Sequence, residues 1–324
     1  MIFMMLAERK PEARNNTRRT EHHTVTGELL VQAPSDFSHS IAFMRGFTPM
    51  AGEQRFTRNS VTRALMVDGR AAVLELTGTR DPERLAFRVH AADPLSEDAR
   101  VRALRRVRFQ FGLDDDLAPF YALAEADRAF SHVVTQLYGM HHVKFPSAFE
   151  IAVWAVLMQR TPMAQARLVK RALVERFGAP LEVDGTTHWA FPEPHAMVAA
   201  GPSALADVVS HEKKASALFT LASAFSEVKD EFLRTAPLVE AEAWLRALPM
   251  IGDFSSVFIL FRGLGRLGRF AAQSRELAEA ARRVYRAPNL SDAEALARGE
   301  RYGEWKGYWA LYLRASGFVG MPAS

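Results

Sequence analysis

The stretch Ala241–Gly263, AEAWLRALPMIGDFSSVFILFRG, decides how this chain is read. Trp244, Leu245 and Leu248 fall on one side of a helix that stops at Pro249, because proline has no amide hydrogen to donate and its ring clashes with the preceding turn. Met250, Ile251 and Gly252 then make a tight turn, and a second helix is predicted from about Asp253 to Arg262. This is the layout of a helix–hairpin–helix. Such a turn presents successive backbone amides beside a helix N-terminus, and those donors with the helix dipole suit a phosphate of a DNA backbone. Gly252 allows the close approach that a side chain would prevent. Any corner between two helices can carry L-P-x-x-G, so the segment taken alone leaves a plain helical corner open beside the DNA reading.

Outward from the hairpin, the chain divides by pattern. Toward the N-terminus, Thr24–Val31, Thr62–Val67, Ala71–Leu76 and Leu85–Val89 read as strands, with Asp68-Gly69 between the second and third as a tight hairpin turn. From about residue 93 the character is helical. Ser96–Phe111 carries Arg100, Arg102, Arg105, Arg106 and Arg108, either a phosphate-binding stripe or a solvated helix face. Ser147-Ala148-Phe149-Glu150 is a predicted capping box opening a helix with Ile151, Trp154, Ala155 and Met158 on one stripe. Thr161-Pro162 ends that helix and starts another over Met163–Phe177, closed by Gly178-Ala179-Pro180. The stretch Leu181–Pro194 reads as an ordered loop, followed by short helices at about 203–209, 212–226 and 239–248. A second capping box, Ser291-Asp292-Ala293-Glu294, opens a late helix. The fold class is α+β, a small N-terminal antiparallel-sheet unit followed by a mostly helical one. Its expected divisions are a flexible lead over 1–21, a sheet domain over 22–110 and a helical domain over 111–324.

Composition narrows the chemistry. The 324 residues suit two packed units at about 100–200 residues each. No cysteine is present, which excludes disulfides, a thiolate nucleophile, Cys-ligated zinc and a thiolate-bound iron–sulfur cluster. The balance of 41 basic to 37 acidic residues permits a polyanionic partner without demanding one. Arginine supplies 34 of the basic residues and lysine 7, a ratio that genomic base composition explains as well as phosphate binding does. The ten histidines, His141-His142 among them, show no metal-ligand spacing. Arg262-Gly263-Leu264-Gly265-Arg266 follows a helix rather than a strand, the wrong context for a dinucleotide fold. The opening MIFMML is too short for a secretory core, and no window approaches the roughly 18 apolar residues of a membrane span. A cytoplasmic monomer without a cofactor is the expectation.

Several segments together resemble one family. Leu248-Pro249-Met250-Ile251-Gly252, followed by Phe261-Arg262-Gly263-Leu264-Gly265, resembles the hairpin of the HhH-GPD superfamily of DNA glycosylases, whose pattern is close to LPGIGxxTA…RG. FPSAFEIAVWAVLMQRTPMAQARLVKRALVERFG at 145–178 is similar to the family's first paired helices, with Gln159 at a matching position, and Phe109–Phe130 resembles the lead into the glycosylase core. The sheet region, notably Phe43-Met44-Arg45-Gly46-Phe47, is similar to the extra N-terminal domain of the AlkA-type 3-methyladenine DNA glycosylases. The resemblance spans roughly 22–316. It implies removal of alkylated purines from double-stranded DNA in base excision repair, with the base flipped out of the stack. A cysteine-free chain stands outside the iron–sulfur branch of the superfamily.

The resemblance also marks a gap. Cleavage of an N-glycosidic bond passes through an oxocarbenium-like sugar, which calls for negative charge near C1′ and a positioned water. The family places an Asp one short loop after the second hairpin helix, and counting from Phe270, or back from Leu277 and Tyr285, puts Ser274 there. Three readings stay open: Glu276 or Asp253 takes over the charge, cationic leaving groups alkylated at N3 or N7 need no dedicated carboxylate, or the fold binds damaged DNA without cleaving it. An all-helical protein-interaction domain is a further alternative. The hairpin residues Pro249, Met250, Ile251, Gly252, Asp253, Phe254 and Ser255 are the expected phosphate grip. Gln159 is expected to bond the base or fill its gap; Lys213 and Lys214 either contact phosphate or form a solvated helix start. Trp154, Phe120, Tyr121, Trp305, Tyr308 and Trp309 are the aromatic candidates for the base pocket, each with a core role as its alternative.

Overall fold

The computed structural model describes residues 22–50, 52–269 and 274–317, so the expected lead over 1–21 lies outside the described residues. The sheet unit contains β1 (His23–Leu30), α1 (Phe37–Gly46), β2 (Gln54–Phe56), β3 (Ser60–Val67), β4 (Arg70–Gly78), β5 (Arg84–Ala91) and α2 (Glu97–Phe111). The strands form one antiparallel sheet in the order β1-β5-β4-β3-β2. The turn between β3 and β4 is the predicted Asp68-Gly69, both residues at positive φ (50° and 76°), as a two-residue hairpin turn of this hand requires.

Alternation along β3 and β4 sends side chains to two different cores. Val61, Leu65, Val67, Ala72, Leu74 and Leu76 pack with residues of α1 and α2, whereas Ala64, Met66, Ala71 and Val73 pack against Leu181, Val183 and Ala190. The latter belong to a feature that the sequence reading missed. Leu181–Pro194 is not a loop throughout: β6 (Ala179–Val183) and β7 (Thr186–Ala190) form a second hairpin around Asp184-Gly185, again at positive φ (48° and 72°). The same Asp-Gly signal that announced the first hairpin was present here, flanked by strands too short for their alternation to stand out.

The rest is helical. α3 (Ala118–Glu125) and α4 (Ser131–Gln136) precede α5 (Ala148–Met158) and α6 (Met163–Phe177). After the β6–β7 hairpin come α7 (Pro194–Val209), α8 (Glu212–Glu227), α9 (Asp230–Thr235), α10 (Leu238–Arg246), α11 (Asp253–Arg262), α12 (Arg275–Val284), α13 (Asp292–Ala297) and α14 (Lys306–Ala315). α7 begins earlier than predicted and kinks at Gly201-Pro202, where Gly201 has φ of 81°. One core gathers α5, α6, α7, α8, α10 and α11, and a second gathers α3, α4, α12, α13 and α14. No helix among the described residues is long and apolar enough to cross a membrane.

The capping boxes have different outcomes. Ser291 and Glu294 complete theirs in both directions. Ser147 caps α5 by accepting from the Glu150 amide, but the Glu150 carboxylate does not return to the cap. It turns inward instead, to the Lys170 ammonium at 2.9 Å and the Arg63 guanidinium at 3.8 Å. Lys170 also meets Glu53 at 2.6 Å. Burial pushes the Glu150 carboxyl up, but Lys170 and Arg63 hold it below the ordinary carboxylate range. Removal of one member of a buried pair leaves uncompensated charge, so Lys170→Met is expected to cost about 3–5 kcal/mol in urea unfolding; a loss below about 1 kcal/mol would show that water, not Lys170, balances these carboxylates.

Candidate active site

The hairpin forms as the pattern predicts, with α10 and α11 joined through Leu248–Gly252. Leu248 and Ile251 are buried and anchor the turn in the first helical core. Met250 carries the strained backbone, with φ of 62°, at the position where the family pattern has glycine. Gly252 precedes α11 in extended conformation, and no side chain caps the helix behind it. A Cβ at Gly252 would meet nothing within 4 Å, so the approach to these amides is open. The first-turn amides of α11 have no partner within their own helix, which leaves donors and the positive end of the helix dipole facing outward. Asp253 is the first residue of α11 rather than its cap, and its carboxylate faces Arg246 at 3.6 Å and Arg269 at 3.8 Å. Gly263, the glycine of the Arg-Gly pair, is needed for packing: a Cβ there would lie 2.7 Å from an Ile151 methyl and 2.8 Å from the Ile259 carbonyl.

Beside the hairpin lies a cleft of about 540 Å³ between the two helical cores. Its walls carry the rings of Phe43, Phe47, Trp154, Phe254, Phe258 and Phe261. Polar lining comes from Gln159, Ser255, Ser274 and Glu276, and from the cations Arg160, Arg262 and Arg314. Glu276 is the one carboxylate among the described lining residues. Arg262 is buried and stacks over Phe43 and Phe47, its guanidinium carbon 4.8 and 4.7 Å from the two ring centres. Burial, with Arg314 nearby, pulls its pKa down to about 9. Arg314 is lowered by burial too, against the opposing pull of Glu276.

This arrangement of sheet, helical cores and hairpin recurs in known proteins. No protein-family model matches the chain. A DNA-3-methyladenine glycosylase of Bacillus subtilis (strain 168) is 26% identical over 260 residues, covering 79% of this chain and 85% of the relative. The solved 3-methyladenine DNA-glycosylase from Archaeoglobus fulgidus superposes with a TM-score of 0.73 at 20% identity, over 91% of this chain and 100% of that one. The chain has the helix–hairpin–helix glycosylase fold. A Clostridium acetobutylicum 8-oxoguanine glycosylase/lyase, solved with double-stranded DNA containing cytosine opposite 8-oxoguanine, shares this fold at a TM-score of 0.58 and 16% identity, over 82% of this chain and 97% of that one.

Against the glycosylase fold, the residues singled out from sequence separate into two groups. Trp154, Gln159, Phe254, Ser255, Ser274 and Glu276 meet in the cleft. Ser274 is the N-cap of α12, where its hydroxyl accepts from the Leu277 amide at 3.3 Å and from Arg314 at 3.0 Å. Phe270, from which the count to Ser274 starts, and the three residues after it lie outside the described residues. Gln159 closes α5, and its side-chain amide donates to the Met250 carbonyl at 3.4 Å and to Ser255 Oγ at 3.3 Å.

The second group belongs to the interior. Phe120, Tyr121, Tyr308 and Trp309 are buried in the second helical core, with Trp305 packed against it, and none of the five lines the cleft. Their polar ends face inward and tie α14 to the segments before it: Tyr121 meets Tyr312 at 2.9 Å, Tyr308 donates to Asp115 at 2.6 Å and Trp309 donates to Tyr285 at 3.0 Å. Lys214 is buried as well, and its ammonium donates to Thr161 and, at 2.7 Å, to the Leu157 carbonyl at the end of α5. That bond commits Lys214 to a structural tie, and only Lys213 is left exposed. Four of the five α2 arginines are engaged within the protein: Arg100 with Glu97, Arg102 with Asp68, Arg106 with the Met66 carbonyl and Arg108 with Asp114. Arg314 had no local signal of a site role in the sequence, because it lies in an ordinary apolar helix, and Arg262 was marked only as part of the Arg-Gly pair in the hairpin resemblance.

Behind the cleft wall His142 is buried, stacked on Phe261 with ring centres 4.6 Å apart, and neither ring nitrogen has a hydrogen-bond partner. Burial, then Lys144 and Arg262, hold its pKa well below the ordinary 6.5. The unfolded chain therefore takes a proton that the folded one refuses, and stability falls as pH drops below that value. The slope is up to about 1.4 kcal/mol per pH unit for each such histidine; His90 and His188, lowered mainly by burial, act with the same sign. Urea unfolding between pH 7.5 and 5.5 is expected to show this decline, and His142→Phe to flatten it; an unchanged slope would contradict a neutral buried His142.

Proposed function

We propose that this chain is a DNA glycosylase that excises purines alkylated at N3 or N7, in base excision repair, by flipping the base and hydrolysing its N-glycosidic bond. The observation that carries the reading is the meeting, beside an uncapped hairpin helix, of an aromatic cleft with Glu276, the one carboxylate among its described lining residues. In this mechanism the amides of Gly252 to Ser255 hold one backbone phosphate, with Pro249, Met250 and Ile251 shaping the turn and Asp253 kept near Arg246 and Arg269 at its flank. Gln159 faces the gap that the extruded base leaves. The flipped base enters among the rings, where Trp154 offers a face to a cationic purine.

An N3- or N7-alkylated purine is already cationic, so the C1′–N bond breaks with its electron pair passing to the base, which leaves neutral. Water supplies the oxygen to C1′ and loses its proton. Glu276 supports the positive charge developing on the sugar, the task an Asp at position 274 performs in the family pattern. The Ser274 hydroxyl, engaged by Arg314 and the Leu277 amide, keeps α12 and so Glu276 in register. Because the leaving group is activated, less of the barrier falls to the protein than for a neutral base. The protein acts as a monomer on double-stranded DNA, in the cytoplasm.

Release of 3-methyladenine or 7-methylguanine from alkylated duplex DNA tests this. Wild-type release is expected, with Glu276→Gln reducing it by about 10²–10³-fold, and Ser274→Asp restoring part of the rate in that background. Release that survives Glu276→Gln would remove Glu276 from the mechanism. A wild type that binds abasic duplex with steep salt dependence yet releases nothing would overturn the enzymatic reading and leave a DNA-binding protein.

A further inference from the structure

A second cavity, of about 700 Å³, opens away from the cleft residues just described, where β2 and β3, α6 and the β6–β7 hairpin converge. Its volume falls within the roughly 300–1,000 Å³ of small-molecule sites. Four guanidinium groups line it, Arg55, Arg63, Arg167 and Arg171. Against them stand Glu53, Glu150 and Glu175. Lys170 lies between the first two carboxylates and Arg171 pairs with the third at 2.7 Å, so positive charge is in excess.

Two buried polar groups in its lining lack partners. Arg63 is 4% exposed and its Nη1 donates to nothing, while Gln54 is 9% exposed and its Oε1 accepts from nothing. Both atoms are closed off from solvent, so they belong to the polar interior behind the cavity wall rather than to its open surface. Near them Arg55 donates to the Thr186 hydroxyl at 2.8 Å, which holds its guanidinium on the hairpin side. The lining also exposes apolar surface that the fold does not cover: Trp189 is 36% exposed and Leu168 63%. Cationic groups and a half-open indole in one cavity match a single ligand chemistry.

We infer that this cavity binds a nucleotide, with a phosphate beside Arg55 and Arg171 and the base on Trp189. The nucleotide comes either free or as the unpaired end of a DNA strand. This site does not depend on the glycosylase reading, because none of its groups lines the aromatic cleft.

Calorimetric titration of the full chain with deoxyadenosine 5′-monophosphate, inorganic phosphate, and blunt or 3′-tailed undamaged duplexes tests the inference. Trp189→Ala is expected to weaken mononucleotide binding about tenfold, the worth of one stacked base, without changing phosphate binding. Arg55→Ala with Arg171→Ala is expected to weaken both. A tailed duplex that binds about tenfold more tightly than a blunt one, with the difference lost in Trp189→Ala, assigns the nucleotide to a DNA strand; equal binding of the two duplexes assigns it to the free pool. Base release from a blunt alkylated duplex should stay within about twofold in all these variants, since a substrate without a tail does not engage Trp189. The inference is overturned if the mononucleotide binds no better than phosphate, if Trp189→Ala leaves it unchanged, or if an abasic duplex with blunt ends displaces it competitively.

Discussion

The Lys170 ammonium, held in the interior between Glu53 and Glu150, is the interaction on which the arrangement of this protein turns. Its partners come from different parts of the chain. Glu53 precedes β2, Glu150 stands in the first turn of α5, and Arg63 reaches Glu150 from the middle of β3. A buried cation with carboxylates on two sides ties the sheet unit to the paired helices α5 and α6 in one relative position. Isolated charges in such a place are costly, and these persist because each meets an opposite charge. Lys170 also lies 5.9 Å from the centre of the Trp154 ring, so the network stands behind a wall of the cleft and beside the floor of the second cavity.

The electrostatics of the cleft differ from what the family pattern implies. With serine at position 274, Glu276 is the one lining carboxylate among the described residues, and three arginines line the same space. Arg262 is already stacked on Phe43 and Phe47, so part of the aromatic surface is occupied by the protein's own cation. Arg314 donates to the Ser274 hydroxyl and feels the pull of Glu276, which links two positions of α12 and its cap.

The hairpin, the paired helices and the sheet were legible in the chain because each has a local signature: proline and glycine at a fixed offset, Ser-x-x-Glu before an apolar stripe, Asp-Gly between strands. The same signatures misled where a side chain had a distant partner. Glu150 satisfies the spacing of a capping box, yet buried cations outbid a surface amide for its carboxylate. Lys214 reads as a phosphate contact at a helix start, but the Leu157 carbonyl of α5 and the Thr161 hydroxyl claim it. Tyr308 and Phe120 carry the composition of a base pocket and fill a core instead, because the ridge of aromatic residues on α14 packs inward.

By itself the sequence determined the order and type of most elements, the tight turn with its outward amides, the absence of thiolate chemistry and the family resemblance, all of which depend on neighbours a few residues apart. Only the tertiary structure decided which aromatic rings face the cleft, that Glu276 shares it while Asp253 turns toward Arg246 and Arg269, and that Arg262 and Arg314 belong to it. Those outcomes depend on contacts between residues far apart in the chain, such as Ser274 with Arg314 or Arg262 with Phe43. No periodicity or spacing along the chain encodes which of several equivalent side chains will find such a partner, because burial and charge pairing are settled by three-dimensional packing.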